Sequence, residues 1–146
     1  MKKLIILLLL MISVSFLHAH CQIPCGIYDD DLRFKQLNEH ITTIEKSMKA
    51  IHSSVTDNSN QLTRWIINKE THADQFIDIV HDYFLTQRLK PLSENATKKE
   101  RINYQQHLQF IHELTVSAMK AKQTIDLSYV SKMKDKLAMF QSLHNH

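Results

Sequence analysis

The stretch DDLRFKQLNEHITTIEKSMKAIHS, residues 30–53, carries the clearest structural signal in this chain. Because an α-helix has about 3.6 residues per turn, apolar residues that alternate between intervals of three and four positions gather on one face. Such a seam is typical of a helix in a bundle, so we predict a helix over 30–53. Its inward residues are predicted to be Phe34, Leu37, Ile41, Ile44, Met48 and Ile51.

A second helix is predicted over 59–89 as one continuous α-helix. Lys69 interrupts its apolar seam, either in a polar layer or with its amine reaching out to solvent while its stem stays buried. The inward face of this helix is predicted to consist of Leu62, Ile66, Lys69, Ala73, Phe76, Val80 and Tyr83.

Two further helices are predicted from their start signals. Thr97 and Glu100 have the spacing of a capping box, which predicts a third helix that extends to about Lys122. Asp126 is the predicted N-cap of a fourth helix. The predicted inward residues are Tyr104, Leu108, Ile111, Thr115 and Ala118 on the third helix, and Val130, Met133, Leu137 and Phe140 on the fourth.

Scarce helix breakers support an all-α fold, since the chain has only one glycine and two prolines. Short connections favour an antiparallel up-down four-helix bundle over 29–146, preceded by an N-terminal metal-binding hook. The ten histidines are dispersed and none belongs to a Glu-x-x-His motif, which di-iron bundles use. We therefore interpret the histidines of the bundle as surface or interface residues.

The first 19 residues have the pattern of a cleavable signal peptide. Lys2 and Lys3 precede an apolar run from Leu4 to Phe16, and Ala19 is a small residue at a plausible cleavage site. The run is short for a membrane span of about 20 residues, although an uncleaved anchor or lipidation at Cys21 is an alternative. We expect processing by signal peptidase and export to the periplasm or the extracellular space.

The remaining chain, 20–146, is almost neutral, with 16 basic and 15 acidic residues. It contains no basic tract interleaved with aromatic residues, so we expect no nucleic-acid partner. No further segment is apolar enough to span a membrane, so we expect no membrane association after cleavage.

The stretch HCQIPCGIY, residues 20–28, contains both cysteines and the only glycine. Cleavage after Ala19 would make His20 the N-terminal residue. The amine of His20, the amide nitrogen of Cys21 and the two thiolates, from Cys21 and Cys25, then form a set of two nitrogens and two sulfurs. Such a set suits square-planar Ni(II), with the His20 imidazole able to reach an axial position. Zinc prefers a tetrahedral site and fits less well.

This donor set also suggests a reaction. Anionic amidate and thiolate ligands stabilise the higher oxidation state and should lower the Ni(III)/Ni(II) potential. A potential between the two superoxide couples permits dismutation, in which two superoxide anions and two protons yield dioxygen and hydrogen peroxide.

Residues 20–28 resemble the N-terminal hook of nickel superoxide dismutases, through the pattern His20-Cys21-x-x-Pro24-Cys25-Gly26-x-Tyr28. The resemblance implies a four-helix subunit, one nickel ion per subunit and a homohexamer. It implies that His20, Cys21 and Cys25 are the metal ligands and catalytic residues. It also implies that Tyr28 lies beside the open metal face and controls the access of small anions.

Two positions depart from the family pattern. Gln22 stands where some members have an acidic residue. Known members can also use a carboxylate and an arginine to orient the axial imidazole, and Gln36 stands where that carboxylate is expected. The candidate substitutes for this orienting pair are Glu39, Glu45 and Arg64.

Three other interpretations of the hook stay open. Two cysteines in an exported protein can form a disulfide or a redox-active dithiol between Cys21 and Cys25. The same ligands could serve a nickel or copper carrier, since copper lies above nickel in the affinity order. A helical adhesin or scaffold without metal is the third.

Overall fold

The computed structural model describes residues 26–53 and 58–145, and all regular structure within these two ranges is helical. The first helix, α1, spans Asp30–Ser53, and α2 spans Ser59–Asp78. The chain continues from α2 directly into a π-helix over Ile79–Arg88. The predicted bounds of the first helix are confirmed, whereas the second predicted helix changes its type two thirds of the way along.

The second half of the chain contains α3, which spans Lys98–Gln123, and α4, which spans Ser128–His144. The predicted set of four helices is thus confirmed within the described ranges. None of the helices there combines the length and the apolar character needed to cross a membrane.

The capping box predicted for the third helix is present. The Thr97 hydroxyl accepts a hydrogen bond from the amide of Glu100, and the Glu100 carboxylate accepts one from the amide of Thr97. Asp126 behaves differently from its prediction, because the residue at the N-cap of α4 is Leu127. The Asp126 carboxylate accepts hydrogen bonds from the amide and hydroxyl of Ser128 instead, in a turn just before the helix.

The order of contacts along α1 and α2 shows that they run antiparallel. His40 lies 2.8 Å from His72, and further along α1 the Ser47 hydroxyl accepts a hydrogen bond from Asn68, which is nearer the start of α2. The first and last helices, α1 and α4, are also antiparallel, because Asp30 at the start of α1 contacts His144 at the end of α4.

The same pattern relates α3 to both of its neighbours. Lys69 of α2 contacts the carbonyl of Ala121 near the end of α3, and His81 contacts Thr115, which is earlier in α3. Helices α3 and α4 pack along their length, so each of the four helices contacts two others. This arrangement is that of a four-helix bundle.

The core lies between these four helices and takes residues from each. All six predicted residues of α1 and all four of α4 are buried. In α3 the buried residues include Leu114 and Ala121, which were not predicted, while Tyr104, Leu108 and Thr115 are only half-buried. The remaining core residues of the second helical segment are Ala73, Phe76, Val80, Tyr83 and Phe84.

The prediction for the start of the second helix was wrong at two positions. Leu62 is half-buried and Ile66 is exposed, because the first turns of α2 extend beyond the common core. Lys69 is buried, with 3% of its surface exposed, and marks the point at which α2 joins the bundle. Its amine donates hydrogen bonds to the carbonyls of Ala121, Lys122 and Thr124 instead of reaching solvent.

The π-helix has hydrogen bonds from residue i+5 to residue i, as from the Leu89 amide to the Phe84 carbonyl. In an α-helix, residues five apart point about 140° away from each other. In a π-helix they lie about one turn apart on a similar face. The segment therefore allows Tyr83 and Arg88, which are five residues apart, to contact the same side chain of α1.

Candidate metal centre

The three predicted metal ligands, His20, Cys21 and Cys25, lie outside the described residues, as does the predicted leader at 1–19. The fourth predicted site residue, Tyr28, is described. Tyr28 follows Cys25 by three residues, and three residues of extended chain span at most about 10 Å. Tyr28 is therefore the described site residue nearest in sequence to the three predicted ligands, and its contacts show where this end of the hook meets the bundle.

Gly26 begins the described chain in a left-handed conformation, with a φ of 77°. Residues with a side chain rarely adopt this conformation, whereas glycine adopts it at little cost. The following residue, Ile27, has 82% of its surface exposed. The left-handed conformation thus occurs within the last residues of the hook, at the position of the only glycine in the sequence.

The ring of Tyr28 is held between two side chains of the π-helix. The Tyr83 ring packs edge-on against it with 5.9 Å between centroids, and the guanidinium carbon of Arg88 lies 4.7 Å from the Tyr28 centroid. Within the described chain, no residue forms a hydrogen bond with the Tyr28 hydroxyl. The ring is fixed while its hydroxyl stays free to face the hook or solvent.

Asp30, in the first turn of α1, contacts three side chains from two other elements, the π-helix and α4. The Tyr83 hydroxyl donates to Oδ1 at 2.5 Å, and Nη2 of Arg88 donates to Oδ2 at 2.7 Å. Nε2 of His144, at the end of α4, lies 2.9 Å from Oδ2. We name Tyr28, Asp30, Tyr83, Arg88 and His144 the hook-proximal cluster.

The cluster shifts the pKa values of its members. Partial burial opposes ionisation of Asp30, but the bonds from Arg88, Tyr83 and His144 prevail and lower its pKa to about 2. Burial and the bond to the Asp30 carboxylate raise the pKa of Tyr83 to about 12. At neutral pH the carboxylate is therefore charged, and the Tyr83 proton remains on its hydroxyl.

A second arginine lies against the same tyrosine. The guanidinium carbon of Arg33 lies 5.1 Å from the centroid of Tyr83, and its Nη1 donates to Oε1 of Gln36 at 2.9 Å. Two guanidiniums thus flank the paired tyrosine rings, next to the three consecutive carboxylates of Asp29, Asp30 and Asp31.

The three candidate substitutes for the imidazole-orienting carboxylate and arginine lie in different parts of the bundle. Glu45 binds Lys49 at 2.6 Å and also binds Lys134, so both of its oxygens are engaged by lysines midway along the bundle. Arg64 is exposed on the first turns of α2. Glu39 lines a surface cleft together with Arg33 and Gln36, and among the three candidates it is the one that shares a surface with residues around Tyr83.

The described histidines of the bundle are exposed or half-buried, which agrees with their interpretation as surface or interface residues. Over 26–53 and 58–145, no three residues among histidine, cysteine, aspartate and glutamate are arranged to hold a metal ion. His40 and His72 form a close pair across α1 and α2, with 2.8 Å between their Nδ1 atoms. His144, which has no assigned role in the sequence analysis beyond that of a surface or interface residue, belongs to the hook-proximal cluster.

Sequence reasoning missed Asp30, Arg88 and His144 as residues near the hook, and it assigned Tyr83 only to the core. One signal was available, because Asp30 follows the hook closely and a carboxylate there can meet residues from distant helix ends. The partners themselves lie 53 to 114 residues away along the chain, so periodicity does not reveal them.

A family model described as nickel-containing superoxide dismutase matches residues 15–146. The chain belongs to this family. The match includes the hook and the whole bundle, so this member of the nickel-containing superoxide dismutase family is a nickel-dependent oxidoreductase that acts on superoxide. A search of curated proteins and a search of solved structures each found no match to the chain.

Proposed function

We propose that this dismutase converts superoxide to dioxygen and hydrogen peroxide by Ni(III)/Ni(II) cycling at the hook, residues 20–28. The observation that carries the proposal is the donor set within six residues, inside the segment that the family model matches. In this proposal the His20 amine and imidazole, the Cys21 amide and the thiolates of Cys21 and Cys25 would hold one nickel ion per subunit.

The chemistry of these donors fits nickel. Two nitrogen and two thiolate donors suit a square-planar d⁸ ion, and anionic donors stabilise its higher oxidation state. The bound nickel would supply a one-electron centre that alternates between two oxidation states. The residues of the bundle would supply the approach for the substrate and the position of the hook.

Tyr28 is proposed to line the path of superoxide to the hook. Its ring is fixed by Arg88 and Tyr83, while its hydroxyl has no partner within 26–53 and 58–145. Arg33 and Arg88 would bring two guanidiniums to this path, of which Arg88 is already paired with Asp30. Tyr83 would be a poor proton donor, because its only hydroxyl proton is directed to Asp30.

We further propose the domain organisation and assembly that the family resemblance and the leader suggest. Residues 1–19 would be removed by signal peptidase, which would create the free amine of His20. The mature protein would be exported to the periplasm or the extracellular space and would assemble as a homohexamer of antiparallel up-down four-helix bundles, each preceded by a hook.

Native mass spectrometry of the exported protein, followed by denaturation, tests this proposal directly. We expect a chain that begins at His20, carries one nickel ion per subunit and forms a hexamer. A chain two hydrogens lighter and free of metal would establish the Cys21–Cys25 disulfide instead. A copper ion in place of nickel, without dismutase activity, would favour the carrier.

A matched variant with one alanine inserted before His20 separates an enzyme from a carrier. The insertion moves the terminal amine out of the proposed plane but retains both thiolates and the imidazole. We expect loss of dismutation in this variant, whereas a carrier should still take up metal with little change.

A further inference from the structure

The side chain of Asp30 connects α1 with the π-helix and α4, a role that no sequence motif indicates. It stands in the first turn of α1, where a carboxylate is favoured by the helix dipole. Its two oxygens contact Tyr83 and Arg88 of the π-helix and His144 at the end of α4. The π-helix and α4 therefore converge on one carboxylate of α1, two residues after the hook.

Two of the contacts at Asp30 also position the rings of Tyr83 and Tyr28. The Tyr83 hydroxyl is held by Oδ1, which sets the position of the Tyr83 ring. Arg88 is held by Oδ2 and lies over the Tyr28 ring, which in turn packs edge-on against Tyr83. The two rings nearest the hook are thus positioned by the same carboxylate, one directly and one through a guanidinium.

The charge of Asp30 is matched by its partners. A carboxylate close to the path of superoxide would repel the anion if it stood alone. Arg88 forms an ion pair with it at 2.7 Å, and charge-assisted bonds of this kind are stronger than neutral ones. The charge of Asp30 itself is therefore largely balanced by Arg88 while its oxygens hold Tyr83 and Arg88 in place.

We propose that Asp30 is a positioning residue for the dismutase reaction, which fixes Tyr83 directly and Tyr28 through Arg88 at the side of the bundle that meets the hook. This inference rests on the proposed function, in which Tyr28 lines the path of superoxide. It assigns Asp30 no contact with substrate or nickel. Its effect on the reaction passes through the two tyrosines.

A double-mutant cycle between Asp30 and Tyr83 in the nickel-loaded protein tests the proposal. We expect Asp30→Asn to retain one nickel per subunit but to lower kcat/KM about tenfold, and Tyr83→Phe to have a similar effect. Because Asp30 acts on Tyr83 directly and on Tyr28 through Arg88, we expect the double variant to be slower than Tyr83→Phe but to lose less than the product of the two single losses. A purely structural role predicts instead that the two losses multiply, and that result would overturn the proposal, as would full activity in Asp30→Asn.

Asp74→Asn is the matched control for the loss of a carboxylate. Asp74 also forms an ion pair with one cation, Lys122 at 2.6 Å, but it lies on the exposed side of α2. We expect this variant to keep kcat/KM within about twofold of the wild type, the range that surface changes usually produce.

A tyrosine titration separates failure of this inference from failure of the proposed function. The chain has four tyrosines, and ¹³C-labelled tyrosine resonances, with Tyr83→Phe to assign one of them, report the ionisation of each ring. We expect Asp30→Asn to shift the Tyr83 titration to lower pH even in a protein that shows no dismutation. An unchanged Tyr83 titration in Asp30→Asn would overturn the inference, whereas an inactive wild type with a normal shift would overturn only the function.

Discussion

The amine of Lys69 donates a hydrogen bond of 2.9 Å to the carbonyl of Ala121, and it donates two more to the carbonyls of Lys122 and Thr124. The last carbonyls of an α-helix have no partner within the helix. Lys69 of α2 therefore satisfies the end of α3, and its positive charge also complements the negative end of the α3 dipole.

Replacement of Lys69 by methionine should destabilise the bundle. Methionine retains most of the apolar stem but leaves three buried or half-buried carbonyls without their donor, which costs about 1–3 kcal/mol. Urea unfolding of Lys69→Met against the wild type measures this loss. Lys46→Met, on the exposed face of α1, is the control and should change the free energy of unfolding by less than about 0.5 kcal/mol. Equal stability of the two variants would show that water replaces the amine.

The cap of α3 gives a second stability prediction. Thr97→Ala removes the hydroxyl that accepts the Glu100 amide, and loss of an N-cap side chain typically costs about 1 kcal/mol. Thr97→Ser keeps a hydroxyl at the same place and should retain most of the stability. Thermal unfolding of the three proteins by circular dichroism decides the matter, and equal midpoints for the alanine and serine variants would contradict the prediction.

The sequence predicted the bundle because its signals are local. The seam of α1 repeats within every turn, and the capping box of α3 occupies four residues, so neither depends on distant parts of the chain. The hook is local in the same sense, since all its proposed donors lie within residues 20–25. Local patterns of this kind are readable before the fold is known.

The π-helix and the hook-proximal cluster were not predictable in the same way. Residues 79–88 have ordinary helical composition, and nothing in their order distinguishes i+5 from i+4 hydrogen bonds. The contacts of this segment with Asp30 bridge 53 and 58 residues of sequence. The sequence left two alternatives open for Lys69 for a similar reason, because its hydrogen-bond acceptors are main-chain carbonyls, which have no sequence signature.

His40 makes the stability of the α1–α2 contact sensitive to acid. Burial and the nearby His72 lower the pKa of His40 below its usual 6.5, although Glu39 acts in the opposite direction. The unfolded chain therefore takes up the proton first as the pH falls. The contribution of His40 to stability is complete above about pH 6.5 and declines below it.

The variant His40→Gln tests this dependence. We expect the wild type to lose stability between about pH 7 and pH 5, and the variant to lose less over the same range, because it lacks the titrating ring. Urea unfolding at each pH provides the comparison. His52→Gln is the control, since His52 is exposed at the end of the same helix, and it should follow the wild type. Parallel curves for wild type and His40→Gln would contradict the prediction.

Cys25→Ser should separate the metal centre from the fold. A serine hydroxyl stays protonated at neutral pH and cannot replace a thiolate as a soft ligand, so we expect loss of both nickel and dismutation. The core extends from Phe34 to Phe140, which lies entirely after the hook, so helical content should be unchanged. Gln22→Ala, in the same hook but without a proposed ligand, should keep its nickel. Dismutation that survives in Cys25→Ser would overturn the proposed ligand set.

Tyr28→Phe isolates the role of one hydroxyl. Phenylalanine preserves the ring that packs against Tyr83 and Arg88, and no described residue loses a hydrogen bond, so nickel content and thermal stability should stay at the wild-type level. We expect kcat to change by less than about tenfold, which corresponds to less than about 1.4 kcal/mol in the activation free energy. Inhibition by a small anion such as azide should change as well, because the hydroxyl is proposed to line the path of the substrate. Metal analysis and pulse-radiolysis kinetics on the same preparation measure both effects. A loss of nickel in Tyr28→Phe would show that the hydroxyl holds the hook in place, in which case Tyr28 would be a structural residue and the path of superoxide would have to be formed by other side chains.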